Sequence, residues 1–204
     1  MSIAIIDYEA GNLTSVLRAV HALKLDATIT SDPSVIDRAD RVIFPGVGAA
    51  GQCMASLKRG GLDGAISRAV QSGRPFLGIC VGMQLLFDWS EEDGGVPCLG
   101  ILPGKVERIK PNDPTLKVPH MGWNPVRADQ NDPLFQGIPQ DTSFYFVHSY
   151  ACQPSVEVRT IGTCDHGQQI CSAVRRGNLA AAQFHPEKSG PWGLQLLKNF
   201  LTLS

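Results

Sequence analysis

The chain has no surplus of charge. In 204 residues, 18 Lys and Arg stand against 19 Asp and Glu, for a formal net charge of −1. That balance removes the electrostatic case for nucleic acid or a membrane surface as partner. No apolar run approaches the ~20 residues needed to cross a bilayer. The start, Met1-Ser2-Ile3-Ala4-Ile5-Ile6-Asp7, lacks a basic stretch and a cleavage site. It reads as a buried strand rather than a secretory leader, and the expected compartment is the cytoplasm. Six cysteines (53, 80, 98, 152, 164 and 171) form no CxxC pair and no regular spacing. Without a leader they read as reduced thiols, each by default a small buried hydrophobe. Repeats, low-complexity tracts and a linker between halves are all missing, so residues 1–204 are expected to form one domain. No metal or cofactor set is expected.

What is present falls into two textures. In the first half, short apolar strands at Ile3–Asp7, Ala27–Thr30, Arg41–Phe44 and Pro75–Ile79 alternate with helical segments. The helices are expected over Asn12–Leu23 and Ser34–Ala39, from the Pro45–Gly48 loop to about Leu57, and over Leu62–Gln71 and Gly82–Trp89. Such alternation predicts an α/β fold with a mostly parallel sheet covered on both faces. The second half alternates in the manner of half-exposed strands at Val106–Ile109, Asn124–Arg127 and Phe144–Tyr150. A hairpin is expected around Arg176-Gly177-Asn178, between Ile170–Val174 and Leu179–Phe184. An amphipathic helix is expected over Trp192–Leu203. These pieces predict an antiparallel or mixed extension of the sheet.

The segment with most chemical content is Gly78-Ile79-Cys80-Val81-Gly82, between the apolar runs Pro75–Leu77 and Met83–Phe87. It reads as strand, sharp turn and helix, with a cysteine at the apex. Flanking glycines let the chain reverse without a Cβ clash and lift the thiol out of the sheet. A helix N-terminus there favours the thiolate, which is the attacking species.

A cysteine nucleophile needs a base, and the base an orienting group. Of the five histidines, His21 is expected on a helix surface and His166 in an exposed turn. His185 ends the strand-like run Ala181-Ala182-Gln183-Phe184-His185-Pro186-Glu187. The carboxyl end of a strand is where open α/β sheets place their sites. Glu187 falls on the same side as His185 if the backbone stays extended, as Pro186 encourages. An ordinary strand-end histidine beside a surface glutamate fits the same local pattern. Gly46-Val47-Gly48 after the third strand allows close backbone approach, so a peptide N–H there, with that of Val81, could stabilise an oxyanion. A plain turn is the other reading.

Three motifs in this order, PGVG at 45–48, GICVGMQ at 78–84 and HPE at 185–187, resemble the class I (triad) glutamine amidotransferases. Two further segments, Val118-Pro119-His120-Met121-Gly122-Trp123-Asn124 and Tyr145-Phe146-Val147-His148-Ser149-Tyr150, are similar to the glutaminase subunits of imidazole glycerol phosphate synthase. So is the opening Asp7–Leu13. The resemblance runs from residue 3 to about 201.

It implies a three-layer, flavodoxin-like α/β/α amidotransferase fold. It implies Cys80 as nucleophile, His185 as general base and acid, and Glu187 as orienting carboxylate in the hydrolysis of L-glutamine. Backbone groups of Val47, Gly48 and Val81 would form the oxyanion hole. Gly46, Gln84, His148, Ser149 and Tyr150 would hold the substrate, although Gln84 could equally be a helix-surface amide and His148-Ser149-Tyr150 a polar strand end. The ammonia would pass to a (β/α)8-barrel synthase subunit in a heterodimer. Docking would involve Asn12, Met121 and Trp123, with core packing as the other reading for Trp123. Loop flexibility at 46–48 predicts low activity until the loaded partner binds. The rival readings are a glutaminase of pyridoxal phosphate synthase and a catalytically silent binding module on the same fold.

Overall fold

The computed structural model describes residues 1–9 and 12–202. Ala10 and Gly11 of the opening motif, and Leu203 at the expected helix end, lie outside them. Apolar strands β1 (Ile3–Ile6), β2 (Thr28–Thr30), β3 (Arg41–Gly46) and β4 (Phe76–Cys80) alternate with helices α1 (Leu13–Ala22), α2 (Pro33–Arg38), α3 (Ala50–Arg59) and α4 (Leu62–Gln71). The helix starts are written locally. Asn12 Oδ1 accepts from the Ser15 N–H, and Asp32 Oδ1 from the Ser34 N–H with Pro33 at the first helical position. α2 and α3 pack against α4, while α1 packs against the C-terminal helix.

After β4 come the single turn α5 (Val81–Gln84) and strands β5 (Phe87–Ser90), β6 (Val96–Pro97), β7 (Leu102–Arg108), β8 (His120–Ala128), β9 (Thr142–His148), β10 (Tyr150–Pro154), β11 (Arg159–Asp165), β12 (Gln169–Arg176) and β13 (Leu179–Ala182). Helix α6 (Gly190–Thr202) closes the chain. Nine strands form the main sheet in the order β2-β1-β3-β4-β13-β12-β11-β8-β9. Its β2-to-β13 half is parallel, and the β12-to-β9 extension is antiparallel. Every residue of β1, β4 and β13 is buried, as a sheet covered on both faces requires. β8 and β9 alternate buried with exposed positions. The β12–β13 hairpin turns at Gly177-Asn178, with Arg176 opposite Leu179.

The expected helix over Gly82–Trp89 is corrected. The helix stops at Gln84, and Phe87–Ser90 begins a second sheet of order β10-β7-β5-β6. The carbonyls of Leu85 and Leu86, which a longer helix would use internally, accept from the N–H groups of Leu99, Ile101 and Leu102. An apolar run this short does not distinguish helix from strand, and tertiary pairing decided it.

One consequence of the order positions everything that follows. β3, β4 and β13 are adjacent and parallel, with Gly46 level with Cys80 and Ala182 level with Ile79. The PGVG loop, the Cys80 turn and the HPE segment therefore leave the sheet side by side at its carboxyl edge.

Candidate active site

Cys80 ends β4 with φ 54° and ψ −114°, a left-handed backbone that residues other than glycine seldom adopt. The neighbouring glycines have ordinary φ and are needed for space. A Cβ on Gly82 would run into the Phe44 carbonyl oxygen, and one on Gly78 would come within 2.9 Å of Leu86 Cδ1 and 3.2 Å of Ala181 Cβ. The strain thus sits on the cysteine. Cys80 is 3 % exposed, at the floor of a cavity of about 330 Å³. Its helix is only four residues long, so the expected contribution of a helix dipole has little basis here.

His185, 2 % exposed, follows β13 and is anchored through its main chain. Its N–H donates to the Tyr145 carbonyl (2.9 Å), and its own carbonyl accepts from Ser189 Oγ (2.6 Å). His185 Nδ1 lies 2.7 Å from Glu187 Oε1, both side chains being almost fully enclosed. The pair forms although the backbone does not remain extended. Pro186–Lys188 is a 3-10 turn, and it brings the carboxylate round to the ring. His185 Nε2 makes no hydrogen bond of normal geometry, which leaves it for the sulfur. Burial opposes charge on this ring, but the Cys80 sulfur and the Glu187 carboxylate outweigh it and raise its pKa to about 10.

The cavity is lined by Val47, Gly48, Val81, Gln84, His148, Ser149 and Tyr150, all expected from the sequence. Gly48 has φ +113°, a conformation that suits glycine. Gly46 is buried and is not among the lining residues; a Cβ there would overlap the Tyr8 hydroxyl. Gln84 is buried, not a surface amide.

Glu92 also lines the cavity and was not anticipated. It accepts from the Ala50 N–H at 2.8 Å, and burial raises its carboxyl pKa. Another unanticipated pair is His120 with His148, joined at 2.9 Å and both buried. His166 is half-buried rather than exposed, stacked on His120 with ring centroids 4.3 Å apart.

Of the other thiols, Cys53, Cys152, Cys164 and Cys171 are buried and Cys98 is half-buried. Burial pushes Cys53, Cys98 and Cys164 up to about 11 and Cys171 to about 12. Among the described residues no cluster of three or more His, Cys, Asp or Glu could hold a metal, and no helix is long and apolar enough to cross a membrane.

Met121 and Trp123 stand on β8 at 62 % and 58 % exposure, which rules out core packing for Trp123. Its indole meets Tyr145 edge-on at 6.1 Å. Tyr145 in turn lies 6.5 Å from the His185 ring and under the Lys188 ammonium at 5.9 Å. Asn12 is exposed at the start of α1.

The fold is shared with a structure described as PurLQS from Thermotoga maritima, at a TM-score of 0.75 and 18 % identity over 98 % of this chain and 97 % of that one. The family described as Glutamine amidotransferase class-I matches residues 4–203. Two curated proteins, each named imidazole glycerol phosphate synthase subunit HisH, are closely similar. One, from Dehalococcoides mccartyi, is 50 % identical over 202 residues, 99 % of this chain and 97 % of the relative. The other, from Nitrosococcus oceani, is 50 % identical over 203 residues, 98 % and 97 % of the two chains. The chain belongs to the class-I glutamine amidotransferases and, among them, to the HisH subunits of imidazole glycerol phosphate synthase.

Proposed function

We propose that Cys80, His185 and Glu187 are the catalytic triad of a glutaminase whose ammonia serves a partner synthase subunit. One observation carries this reading: the Cys80 sulfur and the Glu187 carboxylate flank a single buried imidazole beside an amino-acid-sized cavity. Cys80 attacks the side-chain amide carbon of L-glutamine as the thiolate, its proton resting on His185. The oxygen takes up negative charge and is met by backbone N–H groups of Gly48 and Val81, with Val47 shaping the loop. His185 hands its proton to the departing ammonia. It then activates water against the γ-glutamyl thioester, releasing glutamate. Glu187 keeps the imidazole in one tautomer and stabilises its charge.

Gln84, His148, Ser149 and Tyr150 surround the amino-acid end of the substrate. Glu92, the one carboxylate among the described residues that line the cavity, suits the α-ammonium. Gly46 acts beneath the loop by leaving room for Tyr8. Residues 1–204 work as one domain, without a cofactor, in the cytoplasm.

The partner is a (β/α)8-barrel subunit bound as a heterodimer at the face carrying Asn12, Met121 and Trp123, where exposed aromatic and Met side chains suit an interface core. Control by the partner is read from the turn at Val47-Gly48, where Gly48 has φ +113°, while Gly46 is held in β3.

Glutamine hydrolysis in the presence of the barrel subunit and its nucleotide tests the reading. Cys80→Ala should abolish turnover, and retained turnover refutes the triad. Equal turnover by the isolated subunit and the loaded complex refutes the control.

A further inference from the structure

Gln183 is wholly buried, one residue past β13 and two before His185, and neither the triad nor the substrate pocket accounts for it. Its main-chain N–H is tied to the Ser172 carbonyl at 2.8 Å. Its side-chain orientation is forced. The Tyr150 carbonyl can only accept, so the Gln84 atom 3.0 Å from it must be the amide nitrogen. That nitrogen also lies 3.0 Å from Gln183, which must therefore present its oxygen there. The Gln183 nitrogen is left facing Cys80 Sγ at 3.9 Å. A main-chain carbonyl two side chains away thus fixes which end of Gln183 meets the sulfur, an assignment otherwise open for an amide.

We propose that Gln183 is a further catalytic residue of the glutaminase reaction, its Nε2–H donating to the Cys80 sulfur and holding it in its attacking form. The inference rests on Cys80 being the nucleophile. A hydrogen bond donated to an anion is about twice as strong as one to a neutral acceptor. The N–H therefore favours the thiolate over the thiol, and it weakens once the sulfur becomes a neutral thioester. No proton moves along this contact; the thiol proton goes to His185. The same bond restrains the sulfur's rotamer. His185 alone does not do so, since its Nε2 makes no regular hydrogen bond in the resting enzyme.

Gln183→Glu keeps the shape and the oxygen for Gln84 but replaces the N–H with a carboxylate oxygen beside the sulfur, so it adds repulsion to the lost bond. Gln183→Met removes both bonds. At about pH 8, iodoacetamide labelling of Cys80 should slow about tenfold in either variant. In the loaded complex kcat should fall by a similar factor, with KM within about threefold. Wild-type labelling in Gln183→Met, which adds no charge, overturns the proposal, because a merely structural glutamine predicts that outcome. Cys80→Ala run alongside separates the two ideas: residual turnover there strikes the nucleophile assignment itself. Should neither Gln183 variant fold, isotope-edited NMR of Cys80→Ala decides. The Gln183 amide protons should shift once the sulfur is gone, and unshifted resonances overturn the proposal.

Discussion

His120 Nδ1 lies 2.9 Å from His148 Nε2, and only one placement of protons satisfies the contacts around them. His148 Nδ1 is 2.7 Å from the Tyr150 carbonyl, so it carries the hydrogen and its Nε2 must accept. His120 then donates through Nδ1 and accepts at Nε2 from Asn124 Nδ2, 3.0 Å away. Both rings are neutral. Burial above all holds His120 at about 3 and His148 at about 4; nearby histidines lower both further, and the Tyr150 carbonyl opposes this on His148. Unfolded histidines take up protons near 6.5, so between about pH 4 and 6.5 the unfolded chain binds more protons. Stability should rise with pH across that window, each histidine contributing up to about 1.4 kcal/mol per pH unit. His120→Phe keeps the ring stack on Phe146 and should make the rise shallower. Denaturant titrations at several pH values check this, and an unchanged slope in the variant contradicts the assignment.

His185 behaves in the opposite sense. With its pKa near 10 it keeps its proton through neutral pH. The stability this brings is complete below about pH 6.5 and is lost as pH rises toward about 10. The alkaline limb of kcat/KM should fall in the same region. Glu187→Gln removes the charge and keeps an acceptor. It should lower kcat on the order of a hundredfold and move the alkaline limb to lower pH. A limb that stays in place means Glu187 does not support the charge on His185.

Gly46 and Tyr8 make a coupled pair. A methyl group at 46 meets the Tyr8 hydroxyl, while the next contacts, to Gly82 N and Val81 Cβ, are 3.1 and 3.2 Å. Gly46→Ala should therefore cost about 2 kcal/mol or more, and adding Tyr8→Phe should recover most of it. Thermal or chemical unfolding of the two single variants and the double variant measures the coupling, and additive losses would show that the hydroxyl is not the obstacle.

Trp123→Ala should leave the isolated subunit's stability within about 0.5 kcal/mol, because the indole is largely exposed. The same change should weaken binding of the partner synthase subunit by about 2 kcal/mol, roughly thirtyfold, as expected of an aromatic anchor. Calorimetric titration of the two subunits tests this, and unaltered affinity moves the interface elsewhere.

The parallel half of the fold was legible because each of its elements carries its own signal. Val42-Ile43-Phe44, rich in β-branched residues and closed by Pro45-Gly46, reads as a buried strand, and Asp32-Pro33 announces a helix. β11 was missed, since Arg-Thr-Ile-Gly-Thr-Cys-Asp neither alternates cleanly nor forms an apolar run. The helix expected after Cys80 failed because its last carbonyls were taken by a loop that returns more than ten residues later. The site divides in the same way. Cys80, His185 and Glu187 sit in compact motifs. Gln183, Glu92 and His120 become meaningful only through partners brought from elsewhere, Gln84 lying 99 residues from Gln183. No local pattern encodes such a contact.

The alignment of β3, β4 and β13 carries one more consequence. The spacing between Cys80 and His185 is counted in strand residues, because hydrogen-bonded neighbours hold Ala182 beside Ile79. Deleting a single alanine from Ala180–Ala182 would draw His185 back by about 3.3 Å and turn it to the opposite face of the sheet. Swapping one of those alanines for glycine would leave the count intact. Within this strand the reaction tolerates a change of letter far better than a change of length.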